Sequence, residues 1–330
     1  MEIIEFSQAL ETAMKKQTLV ILLVVIIGTF CFAGTPGAAD IDTRLEMHAG
    51  YRVDDLDWNI AGNINGTDPN IFSELMWNDI EIFQVKAGMR AAINKAFYVR
   101  ASLAYGWVFD GENQDSDYEG DNRTELYSRS INKADEGDVW DATLGIGYQF
   151  SLLSDRLRLI PLGGYAYSKQ NLTLTDGVQI VSLPPATQPI GPIDGLDSAY
   201  ETQWTGPWLG LDLWFQASQK ITLSGSFEYH WADYEAEASW NLRPDLALPR
   251  SFEHDADGSG IVITLAGEYV LEGPWSVSLT ANYQDWSTDA GTDRLYFADG
   301  GVVDTRLNEV NWDSYAILVG LTYRFHSKLQ

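Results

Sequence analysis

An acidic run in the first half of the chain contains side chains that can bind a cation. Asp115, Asp117, Glu119 and Asp121 occupy alternating positions around a glycine. Carboxylate oxygens spaced in this way are typical of calcium-binding loops. The glutamate that normally occupies position twelve of such a loop is missing, because Leu126 stands there. The same residues also fit an ordinary solvated acidic loop, and both interpretations remain open at this point.

His230 and His254 both have carboxylates close by in the sequence. His230 follows Glu228 by two positions, so both side chains share one face of a strand. This pair fits acid–base chemistry or metal binding, but it also fits a hydrogen-bonded interior histidine. The second interpretation is favoured, because polar groups enclosed in a protein are normally paired. His254 lies between Glu253 and Asp255 in a second acidic run.

Strands with strict alternation position these residues. In the last strand large apolar side chains recur at every second position from Tyr315 to Phe325, and smaller or polar residues lie between most of them. Because successive side chains of a strand point to opposite faces, one face is apolar. Ten such segments can be identified, at residues 45–53, 73–92, 97–109, 140–150, 157–167, 209–215, 221–231, 261–269, 277–283 and 315–325.

The connections between these strands alternate in length. Short turns near Asn94, Ser154, Ser218 and Gly273 alternate with long polar stretches at residues 54–72, 110–136, 171–199, 240–258 and 287–311. The sequence therefore predicts an all-β fold, a ten-stranded antiparallel transmembrane β-barrel with short periplasmic turns and long extracellular loops. A soluble β-sandwich or lectin-like barrel is the alternative. Tryptophans near strand ends are expected to form the aromatic girdles at the membrane surfaces, namely Trp77, Trp107, Trp140, Trp208 and Trp275.

The first 39 residues are predicted to be an N-terminal extension and a cleaved signal peptide. Lys15 and Lys16 precede an apolar run, and small residues follow it up to Ala39. Residues 40–330 are then the barrel domain, which is expected in the outer membrane of a Gram-negative bacterium. Cys31 is the only cysteine, so this domain cannot form an internal disulfide.

The charge of the chain limits its partners. A formal net charge of −26 argues against nucleic-acid binding. The expected partners are outer-membrane lipid and lipopolysaccharide, with an extracellular protein or peptide as a further candidate at the loops. The sequence predicts neither a cofactor nor a bound metal.

Charged residues of both signs fall on the face opposite to the apolar one. This pattern predicts a paired ionic interior that contains Glu46, His48, Arg52, Lys86, Arg90, Arg100, Asp141, Arg158, Asp212, Glu228, His230, Glu268 and Arg324. A barrel of about eight strands is filled by its own side chains, and open pores use about sixteen or more. Ten strands therefore disfavour a wide porin and leave a narrow or gated channel as an alternative.

Several short motifs resemble those of the omptins, ten-stranded outer-membrane proteases. They are Ser73-Glu74-Leu75-Met76-Trp77, Gly106-Trp107, Asp115-Ser116-Asp117-Tyr118, Phe227-Glu228-Tyr229 and the final Tyr323-Arg324-Phe325. The chain is similar in the same strings to the omptin-related outer-membrane proteins of Protochlamydia type. The resemblance extends over nearly all of residues 40–330.

The omptin resemblance implies a catalytic role for two carboxylates at the extracellular rim. Omptins use such a pair opposite an Asp–His pair to activate a water molecule, and Asp115 and Asp117 match the first pair. The second pair should lie a short way beyond Tyr229, but residues 233–241 contain acids and no histidine. His230 lies too early on the strand and, by parity, deep in the interior. His254, on the next strand, would have to replace it.

The sequence therefore favours a surface-exposed outer-membrane barrel with a structural, adhesive or envelope-interaction role. It would be omptin-like and would lack the Asp–His half of the protease site. An omptin-type aspartic endopeptidase that uses Asp115 and Asp117 is one alternative, and a narrow, porin-like channel is the other.

Overall fold

A computed structural model describes residues 40–186 and 188–328 of the chain, and the side chains of residues 326–328 are not described. The predicted signal peptide lies outside these residues. The described residues form fourteen strands, β1 (Asp40–Ile60), β2 (Ser73–Ile93), β3 (Phe97–Gly120), β4 (Thr124–Lys133), β5 (Gly137–Tyr148), β6 (Phe150–Leu152), β7 (Leu157–Ser182), β8 (Gly191–Pro192), β9 (Asp197–Gln216), β10 (Ile221–Ser239), β11 (Phe252–Val270), β12 (Trp275–Thr288), β13 (Gly291–Tyr296) and β14 (Val302–Lys328).

Ten of these strands form a closed antiparallel ring. The order is β1, β2, β3, β5, β7, β9, β10, β11, β12 and β14, and β14 pairs with β1 to close the sheet. All ten strands expected from the alternation are present, which confirms the predicted barrel. Because the ring has no free edge, every wall strand has a hydrogen-bonding neighbour on each side.

The predicted long loops are largely strand. β7 continues as far as Ser182, β11 already begins at Phe252, and β14 begins at Val302. β4 lies above β5 and bridges β3 to β7, whereas β13 lies above β12 and bridges β11 to β14. The connections on this side are long, as predicted, but the sequence did not predict that much of their length is strand. These segments lack the alternation of apolar and polar residues by which the other strands were recognised, because above the lipid both faces of a strand can be polar.

The outward face changes sharply from apolar to acidic. On β10, Phe227, Tyr229 and Trp231 are exposed, as expected for a lipid-facing surface. The next outward side chains form like-charge pairs with β11, in which Asp233 lies opposite Asp257. Like charges placed directly opposite each other are destabilising, so this surface has to lie in water rather than in lipid. The change marks the extracellular edge of the lipid-facing band.

The lower interior contains the predicted ion pairs. Arg100 Nη1 donates to Asp212 at 2.8 Å, and its Nη2 donates to Glu228 at 2.7 Å. The guanidinium also lies 5.0 Å from the ring centroid of Trp208, in cation–π geometry. A cavity of about 150 Å³ adjoins this network. Arg324 differs from the prediction, because it lies at the turn end of the barrel, half exposed, and pairs with Asp42 at 2.6 Å.

Two of the five predicted girdle tryptophans point inward. Trp77 and Trp208 are buried at 0% and 1% exposure, whereas Trp107, Trp140 and Trp275 face outward. Trp208 has the parity of the interior residue Asp212, and its ring lies where a Cβ on Gly145 would have to go. Trp77 faces inward because an irregularity near Asn78 changes which β2 side chains point into the barrel.

Arg100→Ala is expected to destabilise the barrel strongly, because it leaves the carboxylates of Asp212 and Glu228 buried without their cation. Loss of one partner from a buried ionic network typically costs about 3–5 kcal/mol. Urea unfolding in lipid vesicles, followed by tryptophan fluorescence, measures the change.

Lys133→Ala is the matched control, since its pair with Asp176 is exposed and should leave the unfolding midpoint unchanged. Equal midpoints for the two variants would contradict the assignment of Arg100 as a central interior cation.

Candidate functional site

A cluster of inward aromatic side chains fills the extracellular half of the barrel. We call it the aromatic plug, and it consists of Trp58, Trp77, Tyr200, Trp204, Tyr234, Phe252, Trp286 and Trp312. All eight are buried, and they come from seven different strands. The ring centroids of Trp286 and Trp312 are stacked at 5.5 Å, and those of Trp77 and Tyr200 at 5.1 Å. The plug therefore packs as a continuous core across the interior.

Asp115 and Asp117 lie on the inner face of β3, near its extracellular end. Asp115 pairs with Leu75 of β2, and Asp117 pairs with Ser73. Paired residues share a face of the sheet, and Leu75 is buried at 1% exposure. Both carboxylates are thus half-buried beside the plug, and are not in a freely solvated loop.

Both carboxylates of this pair have a raised pKa. Burial and the neighbouring Asp117 carboxylate raise the pKa of Asp115 well above its ordinary value. Burial also raises the pKa of Asp117, while hydrogen bonds from Ser73 and Ser128 partly offset the effect. The cation that acts on both carboxylates is Arg243, from the connection between β10 and β11. The pair therefore favours a shared proton, as closely placed carboxylates do.

His254 lies in a separate, fully enclosed network. Its Nε2 is 3.3 Å from the Asp293 carboxylate on β13, and its Nδ1 is 2.8 Å from the Tyr200 hydroxyl. The Tyr200 hydroxyl lies 2.7 Å from that of Tyr234. The Trp58 ring stands edge-on to the imidazole at 4.8 Å. Within the described residues, neither Asp115 nor Asp117 has a hydrogen bond or ion pair with a histidine.

The acids that follow Tyr229 point away from this interior. Asp233, Glu235 and Glu237 are exposed on the outer surface of β10, whereas Tyr234 and the alanines between them face the plug. The strand on which an omptin-like Asp–His pair was expected thus presents alanine and tyrosine to the interior.

His230 is a hydrogen-bonded interior residue, as the sequence favoured. Its Nε2 is 3.2 Å from Glu228, and its ring packs 4.8 Å from that of Trp286. In the described part of the chain, no three histidine, cysteine or acidic side chains are grouped so that they could hold a metal ion. No helix among the described residues is long and apolar enough to cross a bilayer.

The sequence did not predict that Asp293 and Tyr200 would contact His254. Tyr200 follows the same inward parity on β9 as Trp204 and Trp208, so extending that strand would have placed it inside. Asp293 had no such indicator. It lies on the short strand β13, within a stretch that was expected to be a loop.

On the extracellular side of the lipid-facing band, the ends of the wall strands continue together with β4 and β13, and we call this part the extracellular tier. A closed ten-stranded ring with such a band and tier defines an omptin-like outer-membrane β-barrel protein. Within that class, the chain belongs to the family described as Protochlamydia outer membrane protein, whose family model matches residues 46–325. Membership places it in the outer membrane of a Gram-negative bacterium.

The fold is similar to that of the outer membrane protease OmpT from Escherichia coli. The TM-score is 0.71 at 16% identity, over 87% of this chain and 97% of OmpT. The translocator domain of the autotransporter NalP from Neisseria meningitidis matches with a TM-score of 0.36 and 13% identity, over 96% and 98% of the two chains. Ail, the attachment invasion locus protein of Yersinia pestis, gives 0.30 and 11%, over 86% and 98%. No curated protein matches the chain by sequence.

Asp115→Asn is expected to stabilise the extracellular end of the barrel near neutral pH. Because the folded state raises the pKa of Asp115, it retains a proton that the unfolded chain releases. The stability that this protonation contributes is present at acid pH and is lost as the pH rises through the raised pKa. An amide removes the repulsion with Asp117, so the free energy of unfolding should rise by about 1 kcal/mol at neutral pH.

The gain should vanish at acid pH, and unfolding curves measured across the pH range would reveal this. Glu112→Gln, at an exposed position on the outer face of the same strand, is the control and should leave the pH profile unchanged. A pH-independent gain for Asp115→Asn would contradict the carboxylate coupling.

Proposed function

We propose that the protein is a surface-exposed outer-membrane barrel with an adhesive or envelope-interaction role and without omptin-type peptidase activity. The aromatic plug is the main support for this proposal, because it occupies the interior beside the two rim carboxylates. Outer-membrane lipid and lipopolysaccharide are the proposed surroundings of the apolar band. A protein or surface met outside the cell is the proposed partner of the extracellular tier.

The arrangement of the titratable groups argues against peptidase chemistry. A general base has to lie within hydrogen-bond reach of the attacking water, directly or through a second water. Arg243 is the charged side chain that acts on Asp115 and Asp117 from the opposing segment. His254 is buried at 2% exposure and faces Asp293 and Tyr200, so a peptide substrate has no open approach to its imidazole.

The narrow-channel alternative is less well supported. The interior cavity lies below the aromatic plug, which is closely packed. Toward the short turns, the guanidinium groups of Arg44 and Arg90 lie 4.8 and 4.7 Å from the ring of Trp214. A conducting path would have to open both of these layers.

The extracellular tier supports an interaction role. β3 and β4 form a hairpin above the lipid-facing band, and β7 rises beside it as far as Ser182. Paired strands hold a surface in a fixed shape, so little conformational entropy is lost when a partner binds. Such a surface suits recognition better than a set of mobile loops.

The refolded protein is expected to leave a fluorogenic peptide library uncleaved, even with lipopolysaccharide present. Asp117→Asn should leave that background unchanged, because the Asp117 carboxylate contacts no imidazole among the described residues. Purified OmpT, assayed in parallel, controls for refolding and for the library. Cleavage by the wild-type chain that Asp117→Asn abolishes would overturn the proposal in favour of the endopeptidase.

Shortening one extracellular segment is expected to reduce the attachment of barrel-displaying cells to a target cell layer at least tenfold. Four variants, each shortened within residues 61–72, 111–134, 176–196 or 240–251, test the segments separately. Heat-modifiable migration on gels verifies that each barrel assembles. Attachment that is equal for all four assembled variants and the wild type would remove the adhesive role.

A further inference from the structure

The extracellular end of β7 and the connection that follows it form an uncharged apolar surface on a strongly acidic protein. We call residues 177–186 and 188–193, all of which the structure describes, the apolar tip. The tip contains no Asp, Glu, Lys or Arg, although the chain as a whole has a net charge of −26. Val178, Ile180, Leu183 and Ile190 are exposed at 41%, 47%, 57% and 70%. Exposed apolar groups gathered in this way mark a contact surface.

Carboxylates separate the tip from the lipid around the barrel. Phe109 is the last exposed outward aromatic residue on β3, and Asp110 follows it. Val178 lines a surface depression together with Asp110, Glu112 and Asp176, so the lipid-facing band ends below the tip. The apolar side chains of the tip therefore have to be covered by something that approaches from outside.

The backbone of the tip is suited to an apolar environment. Prolines at 184, 185, 189 and 192 carry no N–H group. The N–H groups of Leu183, Ala186 and Ile193 donate to the carbonyls of Tyr127, Leu183 and Gly177. Because an unpaired N–H is the main cost of moving backbone into hydrocarbon, these features lower the cost of inserting the segment into lipid.

We propose that the apolar tip inserts into the surface of an apposed, zwitterionic lipid bilayer. This inference rests on the proposed interaction role and names its partner. A protein partner is less well matched, because binding hot spots are enriched in tryptophan, tyrosine and arginine, and the tip has none of these. An anionic bilayer is disfavoured by the charge of the whole chain.

Flotation with vesicles tests the proposal directly. The full chain, refolded into nanodiscs, is mixed with phosphatidylcholine vesicles and separated on a density gradient. The wild type should float with the vesicles, and Leu183→Asp with Ile190→Asp should lower the floated fraction at least tenfold. Ile64→Asp with Leu248→Asp is the matched control, since these side chains are 52% and 57% exposed in other segments, and it should float like the wild type.

A single label reports on the depth of insertion. Cys31 is the only cysteine, so Ile190→Cys in a Cys31→Ser background carries one environment-sensitive fluorophore. Its emission should shift to the blue with phosphatidylcholine vesicles, and less with phosphatidylserine vesicles at low salt.

Three outcomes of the vesicle experiments would overturn the inference. They are no flotation of the wild type, equal flotation of the tip variant, or capture only by vesicles that carry membrane proteins. The last result would assign the tip to a protein partner. Cell attachment that is lost with another segment, but not with the tip, would reject the lipid contact and leave the proposed interaction role standing.

Discussion

The pairing of β14 with β1 is the constraint on which the rest of the structure depends. Hydrocarbon offers no hydrogen-bond partner to the backbone, so a sheet can span the membrane only as a closed ring. Closure fixes an inside and an outside for every side chain. Apolar residues then face lipid, and buried charges have to find partners across the lumen, as Arg100 does with Asp212 and Glu228.

Alternation alone was sufficient to predict the ten wall strands, their outward faces and most of the paired interior charges. Above the lipid this information disappears, because water accepts polar residues on the outer face. The strands β4 and β13 could not be recognised for this reason. The inward turn of Trp77 depends on a local irregularity in β2, which leaves no distinctive pattern in the composition.

Part of the candidate site could also be predicted. The sequence itself shows that residues 231–241, beyond His230, contain no histidine, and it favoured a hydrogen-bonded His230. It gave no indication that His254 would meet Asp293, since that contact joins β11 to β13 across a stretch expected to be loop. Nor did it indicate that Asp115 would be half-buried, because this depends on its partner Leu75 facing the plug.

The aromatic plug also has a consequence for biogenesis. Its members include Trp58 from the first strand and Trp312 from the last. The indole N–H of Trp312 donates to Asp54 on β1 at 3.1 Å, so the plug is bonded across the seam of the barrel. A nascent chain can complete this interior only when its final strand arrives. The β1–β14 pairing and the complete aromatic plug therefore form in a single event, and a chain truncated before β14 would lack both.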